Sequence, residues 1–130
     1  MEQYFSVEKY FEELFKDLNC ESNTKAYIVS IFSKYKSSYE DLSKDSITLL
    51  YAQGRDKKDF YLFQKIGDWT LFYNVYNENH NFDYYRIIGQ LSYNNCYKLI
   101  NKKWKIFEEL SDNFEFLEKE VRKKMKHSTF

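Results

Sequence analysis

The chain contains no proline and only three glycines, Gly54, Gly67 and Gly89, in 130 residues. A β-rich domain of this size needs more turn punctuation, so strand-and-hairpin architectures are disfavoured from the outset. Cysteine is scarce as well. Cys20 and Cys96 are too few and too isolated for a disulfide framework, and a reducing cytosol is the simplest setting for them. Net charge is missing, because 20 basic residues balance 20 acidic ones. Such a chain has no general attraction for nucleic acid or anionic membrane, and it is not an acidic nucleic-acid mimic. Arginine occurs only at Arg55, Arg86 and Arg122. It is the usual bidentate reader of phosphate and guanine, so its scarcity weakens nucleic-acid readings further. No apolar run approaches the ~20 residues of a membrane span. The N-terminal MEQYFSVEKY lacks the basic and apolar regions of a signal peptide. The expected location is cytoplasmic.

Aromatic residues are abundant instead. They make up 21 % of the chain, with 13 Tyr and 12 Phe, within a hydrophobic total of 43 %. That composition is not that of a disordered chain, and the length suffices to bury a core without metal or disulfide staples. One domain spanning residues 1–130 is expected. Lys, Asn, Tyr, Phe and Ile share A+T-rich codons, so an A+T-rich bacterial or phage genome accounts for the composition unaided.

The apolar spacing is helical almost throughout. A first helix is expected over about 7–18, with Ser6 as N-cap, and a second over about 24–37. Residues 36–45 read as polar and irregular, with one helical turn near Leu42. A third helix starts near Asp45 and weakens at 54–57. Leu62, Ile66, Trp69, Tyr73 and Tyr76 step by four, three, four and three, giving a helix over about 58–76. Gly67 falls inside it. A mid-helix glycine costs about 1 kcal/mol relative to alanine, so it marks close packing against a neighbour. After a turn at 77–81 the next helix covers about 82–100 and is apolar on two sides, as a central helix is. The last region, 102–126, carries a stripe through Trp104, Phe107, Leu110, Phe114, Leu117 and Val121, with a break expected near Ser111. The fold class is all-α: one compact bundle of five to seven helices around a central hairpin of 58–76 and 82–100.

Chemistry-bearing patterns are few. His80, His127, Cys20 and Cys96 show no metal-ligand spacing, and no pattern calls for a metal or a cofactor. A Cys96–His80 nucleophilic pair has no local motif, and Cys96 sits where a small packing residue would sit. Residues 52–58 hold one glycine and three basic residues, which fits a solvated turn better than a phosphate cradle. Asp83 reads as a first-turn charge at the positive end of a helix dipole. Asp68 differs, because it interrupts an apolar helix face, and a buried carboxylate must be paired or hydrogen-bonded. Arg86, a Tyr hydroxyl or a Trp N–H are its candidate partners. Asp68, Trp69, Tyr84 and Arg86 are thus the candidate set for a ligand site or an interhelical polar tie, with the tie favoured and no catalytic residue assigned.

Tyr and Trp are favoured in protein interfaces because they bury large area and keep a polar handle. Thirteen Tyr exceed what one small core can hide with satisfied hydroxyls. Tyr4, Tyr39, Tyr73, Tyr76 and Tyr97 are the candidates for an interaction surface. The expected function is that of a non-enzymatic helical protein which binds another protein or a second copy of itself, as an accessory subunit, regulator or inhibitor. The alternative is a helical small-ligand-binding protein with an aromatic pocket near Asp68, Trp69, Tyr84 and Arg86. An enzyme and a nucleic-acid binder rank below both.

Three stretches carry a resemblance. They are Gly67-Asp68-Trp69-Thr70-Leu71-Phe72, then Asp83-Tyr84-Tyr85 with Gly89 and Tyr93, then Phe107-Glu108-Glu109-Leu110-Ser111-Asp112-Asn113-Phe114. The pattern, over the C-terminal two-thirds, is similar to one in small all-α bacterial proteins of unknown function. It implies that these helices form one unit, and no activity, cofactor or partner.

Overall fold

The computed structural model describes the backbone of residues 2–77 and 82–126, and the side chains of 7–77 and 83–126. Among the described residues it is all helix and loop. The helices are α1 (Glu2–Leu14), α2 (Ser22–Ser37), α3 (Lys44–Lys57), α4 (Phe60–Tyr76), α5 (Phe82–Leu99), α6 (Lys105–Asp112) and α7 (Phe114–Lys126). The hairpin of α4 and α5 is the most extensively packed pair. α3 lies on α4, α1 lies on α2, α2 packs on α4 and α6, and α7 closes against α4, α5 and α6.

The centre of the bundle is α4 rather than the expected α5. Every residue from Trp69 to Val75 is buried, because four neighbouring helices cover α4 on all sides. On α5, Ile87 and Leu91 remain exposed, at 56 % and 45 %. The core is largely aromatic. Phe11, Phe15, Phe32 and Phe72 form a chain of ring contacts with centroids 5.2–5.9 Å apart. Such offset and edge-on pairs add to plain area burial.

Some helix boundaries differ from the expected ones. α1 begins at Glu2 and ends at Leu14, so Ser6 lies within it rather than capping it. α3 runs through Gly54 to Lys57. The helix is not weakened there, because Gly54 packs beneath the Phe63 ring, where an added Cβ would come within 3.3 Å of the ring. None of the three glycines makes a turn. Among the described residues the left-handed positions are Lys58, Asn101 and Lys102, at φ 53, 57 and 60°. Residues 39–43 contain no helical turn near Leu42. Trp69 Nε1 donates to the Glu40 carbonyl at 2.6 Å, and the Tyr39 ring stacks over Trp69 at 6.5 Å. These contacts hold the segment extended across α4. The break before α7 falls at Asn113, two residues beyond Ser111.

Candidate functional site

Asp68 is placed by three helices. Its carboxylate accepts from Tyr27 of α2, at 2.8 Å to Oδ1 and 3.0 Å to Oδ2, and from Tyr93 of α5, at 2.7 Å to Oδ1. Gln64 Nε2, one turn earlier on α4, donates to the Tyr27 hydroxyl at 2.8 Å. Gly67 makes this geometry possible. The Tyr93 ring lies across it so closely that an added Cβ would sit 2.6 Å from Cε1, and the same ring delivers its hydroxyl to the next residue, Asp68. The sequence therefore uses a glycine–aspartate pair, one to seat a ring and one to receive its hydroxyl.

Asp68 keeps partial solvent exposure at the floor of an open cleft of about 470 Å³, whose walls include Lys34, Glu40, Tyr61, Gln64 and Lys65. Protein atoms crowd the carboxyl on its other sides. Burial pushes it up to about 7, against the pull of the Tyr93 and Tyr27 hydroxyls and of Lys34. The Tyr27 and Tyr93 hydroxyls rise for the same two reasons, burial and the adjacent carboxylate.

The sign of the pH dependence follows. Between the ordinary value of 3.8 and about 7, folded Asp68 holds a proton that the unfolded chain has released. Its contribution is complete below the unfolded value and is lost as pH rises through 7. The slope can reach at most about 1.4 kcal/mol per pH unit, and water in the cleft reduces it. Asp68→Asn keeps an acceptor for the hydroxyls and removes the titration. The melting temperature of this variant should therefore gain on the wild type from pH 5 to pH 8, as measured by parallel thermal melts. A constant difference across that range would contradict the assignment.

Trp69, Tyr84 and Arg86 do not join Asp68 in one site. Trp69 is fully buried, stacked on Tyr73 at 4.5 Å. The Tyr84 hydroxyl pairs with Thr48 Oγ1, and Lys44 Nζ sits 4.5 Å over its ring. Arg86 turns to α7, where its Nη2 meets Glu118 Oε2 at 2.6 Å and its Nη1 meets Glu115 at 3.1 Å. Asp68 and Arg86 thus anchor two separate polar centres, one tied to α2 and α5 and the other to α7.

The Glu118 centre was not anticipated. Its carboxylate is fully buried and receives Arg86, Arg122 Nη2 at 2.7 Å and Asn74 Nδ2 at 2.9 Å. Arg122 also donates to the Asn74 carbonyl at 2.9 Å. Two of the three arginines are thereby committed to one glutamate. The signal is present in the spacing: Glu118 falls on the Phe114, Leu117, Val121 stripe of α7, and Arg122 follows one turn later. Cys96 is wholly buried with its Sγ 3.7 Å from the Phe60 carbonyl, and burial raises its thiol. His80 lies outside the described residues.

Three of the five surface-candidate tyrosines meet in one place. Tyr39, Tyr73 and Tyr76 line an open cleft of about 620 Å³ together with Tyr35, Phe72 and Asp41. Tyr39 and Tyr76 are 44 % and 39 % exposed, while Tyr73 is 8 % exposed and forms part of the wall. Tyr97 lies elsewhere and is buried, its hydroxyl donating to Glu108 at 3.1 Å. The side chain of Tyr4 is outside the described residues. A slightly larger trough of about 660 Å³ runs between the start of α2 and α6. It is bordered by charges of both signs, and its Glu109 is already engaged with the Glu21 backbone N–H at 3.2 Å, so it offers no convergent set of groups.

Among the described residues, no helix is long and apolar enough to cross a membrane. Compared with known proteins, the chain matches no family model, no curated protein and no solved structure.

Proposed function

We propose that this chain acts without catalysis, by docking another protein on the aromatic cleft of Tyr35, Tyr39, Phe72, Tyr73 and Tyr76. The supporting observation is the convergence of five rings on one open cleft, two of them substantially exposed. Rings that keep large accessible faces on a rigid helical base supply contact area at little entropic cost, as interface hot spots do. The base is rigid because Trp69, Phe72 and Tyr73 belong to the fully buried stretch of α4.

The test pairs Tyr39→Ser with Tyr76→Ser in one chain and uses Tyr61→Ser as control. Tyr61 is more exposed, at 77 %, but lies outside the cleft. Affinity capture from the native host should recover a partner with wild type and control, and lose at least about tenfold with the double variant, as truncation of hot-spot residues does. Unchanged recovery by a double variant that melts normally would refute the proposal.

A second reading is supported by the Asp68 cleft. A carboxyl at its floor, the Gln64 amide beside it and Lys34 and Lys65 in its walls could orient a small polar ligand. That site uses Asp68 but neither Trp69, Tyr84 nor Arg86. Ligand-induced resonance shifts of the Gln64 side-chain amide that vanish in Asp68→Asn would favour it.

A further inference from the structure

We propose that the α1–α2 hairpin is a detachable unit of this fold, latched to the remaining helices by the Tyr27–Asp68 hydrogen bonds and released when Asp68 gives up its proton. The latch stands whether or not the aromatic cleft docks a partner.

Three observations carry it. First, the open space follows one seam. Four open clefts, of about 660, 620, 400 and 470 Å³, each have α1, α2 or the segment just after α2 as one wall. The opposite walls belong to α6 with its leading loop, α4, α7 and α4 in turn. Second, the hairpin packs chiefly on itself. α1 lies on α2 and packs on no other described helix to a comparable extent, and Phe11 and Phe15 meet Phe32 at 5.9 and 5.3 Å. Across the seam, Phe32 and Tyr35 rest on Phe72 at 5.2 and 5.3 Å and favour the closed form. Third, a hinge is in place. α2 ends at Ser37, whereas Glu40 is pinned to α4 by Trp69 Nε1 on its carbonyl at 2.6 Å and Lys65 Nζ on its carboxylate at 3.2 Å. Residues 38–39 between them are not helical, so rotation there frees α2 without moving Glu40.

Asp68 sits at the seam with titratable groups on every side. α2 presents Tyr27, Lys34 and Tyr35, and the following segment presents Glu40. α4 presents Tyr61 and Lys65, and α5 presents Tyr93 and Cys96. α6 turns the Phe107 ring to Tyr27 and Tyr93, at 5.7 and 6.0 Å. With the hairpin closed, burial holds the carboxyl up at about 7, against the pull of the two phenols and Lys34. With it open, water reaches Asp68 and the carboxyl returns toward its ordinary 3.8. The closed form therefore holds the proton more tightly. The advantage this gives is complete below the ordinary value, falls as pH rises and is lost above about 7. Release carries Tyr35 and Lys36 away from the aromatic cleft, so the same proton governs the shape of that cleft.

Native-state amide hydrogen exchange of the full chain tests the latch, with rates corrected for intrinsic exchange. The α1 and α2 amides should share one opening constant, at least about tenfold larger than that of α4 and α5. It should rise at least about fivefold from pH 5 to pH 7, within the ceiling of about tenfold per pH unit. Asp68→Asn should flatten that rise and leave α4–α5 exchange unaltered. Tyr27→Phe removes the hydroxyl on the hairpin's side alone, and should raise α1–α2 opening about fivefold at pH 6 with α4–α5 unchanged. If α1 and α2 exchange only together with α4 and α5, the hairpin is no separate unit and the proposal fails. An equal pH response in Asp68→Asn would overturn it as well.

Discussion

Glu118→Ala is expected to lower the unfolding free energy by about 3–5 kcal/mol, the usual cost of removing one member of a buried ion-pair network. Three polar groups depend on this carboxylate: the Arg86 guanidinium at 2.6 Å, that of Arg122 at 2.7 Å and the Asn74 amide at 2.9 Å. Arg86 and Arg122 side chains are only 15 % and 17 % exposed, so water cannot fully replace the lost partner. Arg86 retains Glu115 and Asp83 at 3.1 and 3.5 Å, but both are far more exposed and such surface pairs are worth less than about 1 kcal/mol. The cost is one of stranded charge rather than lost attraction. Glu118→Gln, which keeps the shape and one acceptor, should fall between wild type and alanine. Replacing Glu118, Arg86 and Arg122 together by apolar residues should cost less than Glu118→Ala alone. Urea unfolding of the four proteins checks the order. A Glu118→Ala cost below about 1 kcal/mol would show that the network is solvated in solution.

Gly89→Ala should destabilise although helix propensity predicts the reverse. On an open helix face, replacing glycine by alanine gains about 1 kcal/mol. At position 89 the new methyl would collide with Thr70 Oγ1 and lie 2.8 Å from Phe114 Cζ. Both neighbours are fixed. Thr70 is fully buried, its hydroxyl donating to the Gly67 carbonyl at 3.0 Å, and Phe114 is 1 % exposed. Overpacking of this kind costs about 1–3 kcal/mol. Thr70→Ala in the same chain removes the nearer obstacle, so the double variant should be more stable than the sum of the two single effects predicts. Thermal or urea unfolding of the cycle measures that coupling. A stabilised Gly89→Ala chain would mean that α4 and α5 stand further apart at this level than described.

The two glycines also show how far the sequence could be read. The position of Gly67 inside a strongly periodic helix already implies close approach. Which groups approach, Tyr93 at Gly67 and Thr70 with Phe114 at Gly89, is a matter of the relative rotation of α4, α5 and α7, and a single helix's periodicity carries no information about its neighbours' rotation. The same limit explains the grouping of Asp68 with Arg86. Sequence spacing marks Asp68 as a carboxylate on an apolar helix face and offers Arg86 as one candidate partner. A carboxylate and a guanidinium close in sequence invite pairing, but Arg86 found its acid on α7 and Asp68 found two tyrosine hydroxyls.

Sequence spacing establishes the all-helical class, because a chain without proline and with apolar residues at three- and four-residue steps buries those residues as helix faces. It also determined where most helices lie and that Asp68 would need partners. Helix packing alone sets which helix is central, how the polar groups divide into the Asp68 and Glu118 centres, and that Tyr39, Tyr73 and Tyr76 share a cleft with Asp41. The reason is physical. Local spacing is fixed by bonds along one chain segment, whereas the partners of a buried charge or an exposed ring are set by packing between segments distant in the chain, as Asn74 and Glu118 are, 44 residues apart.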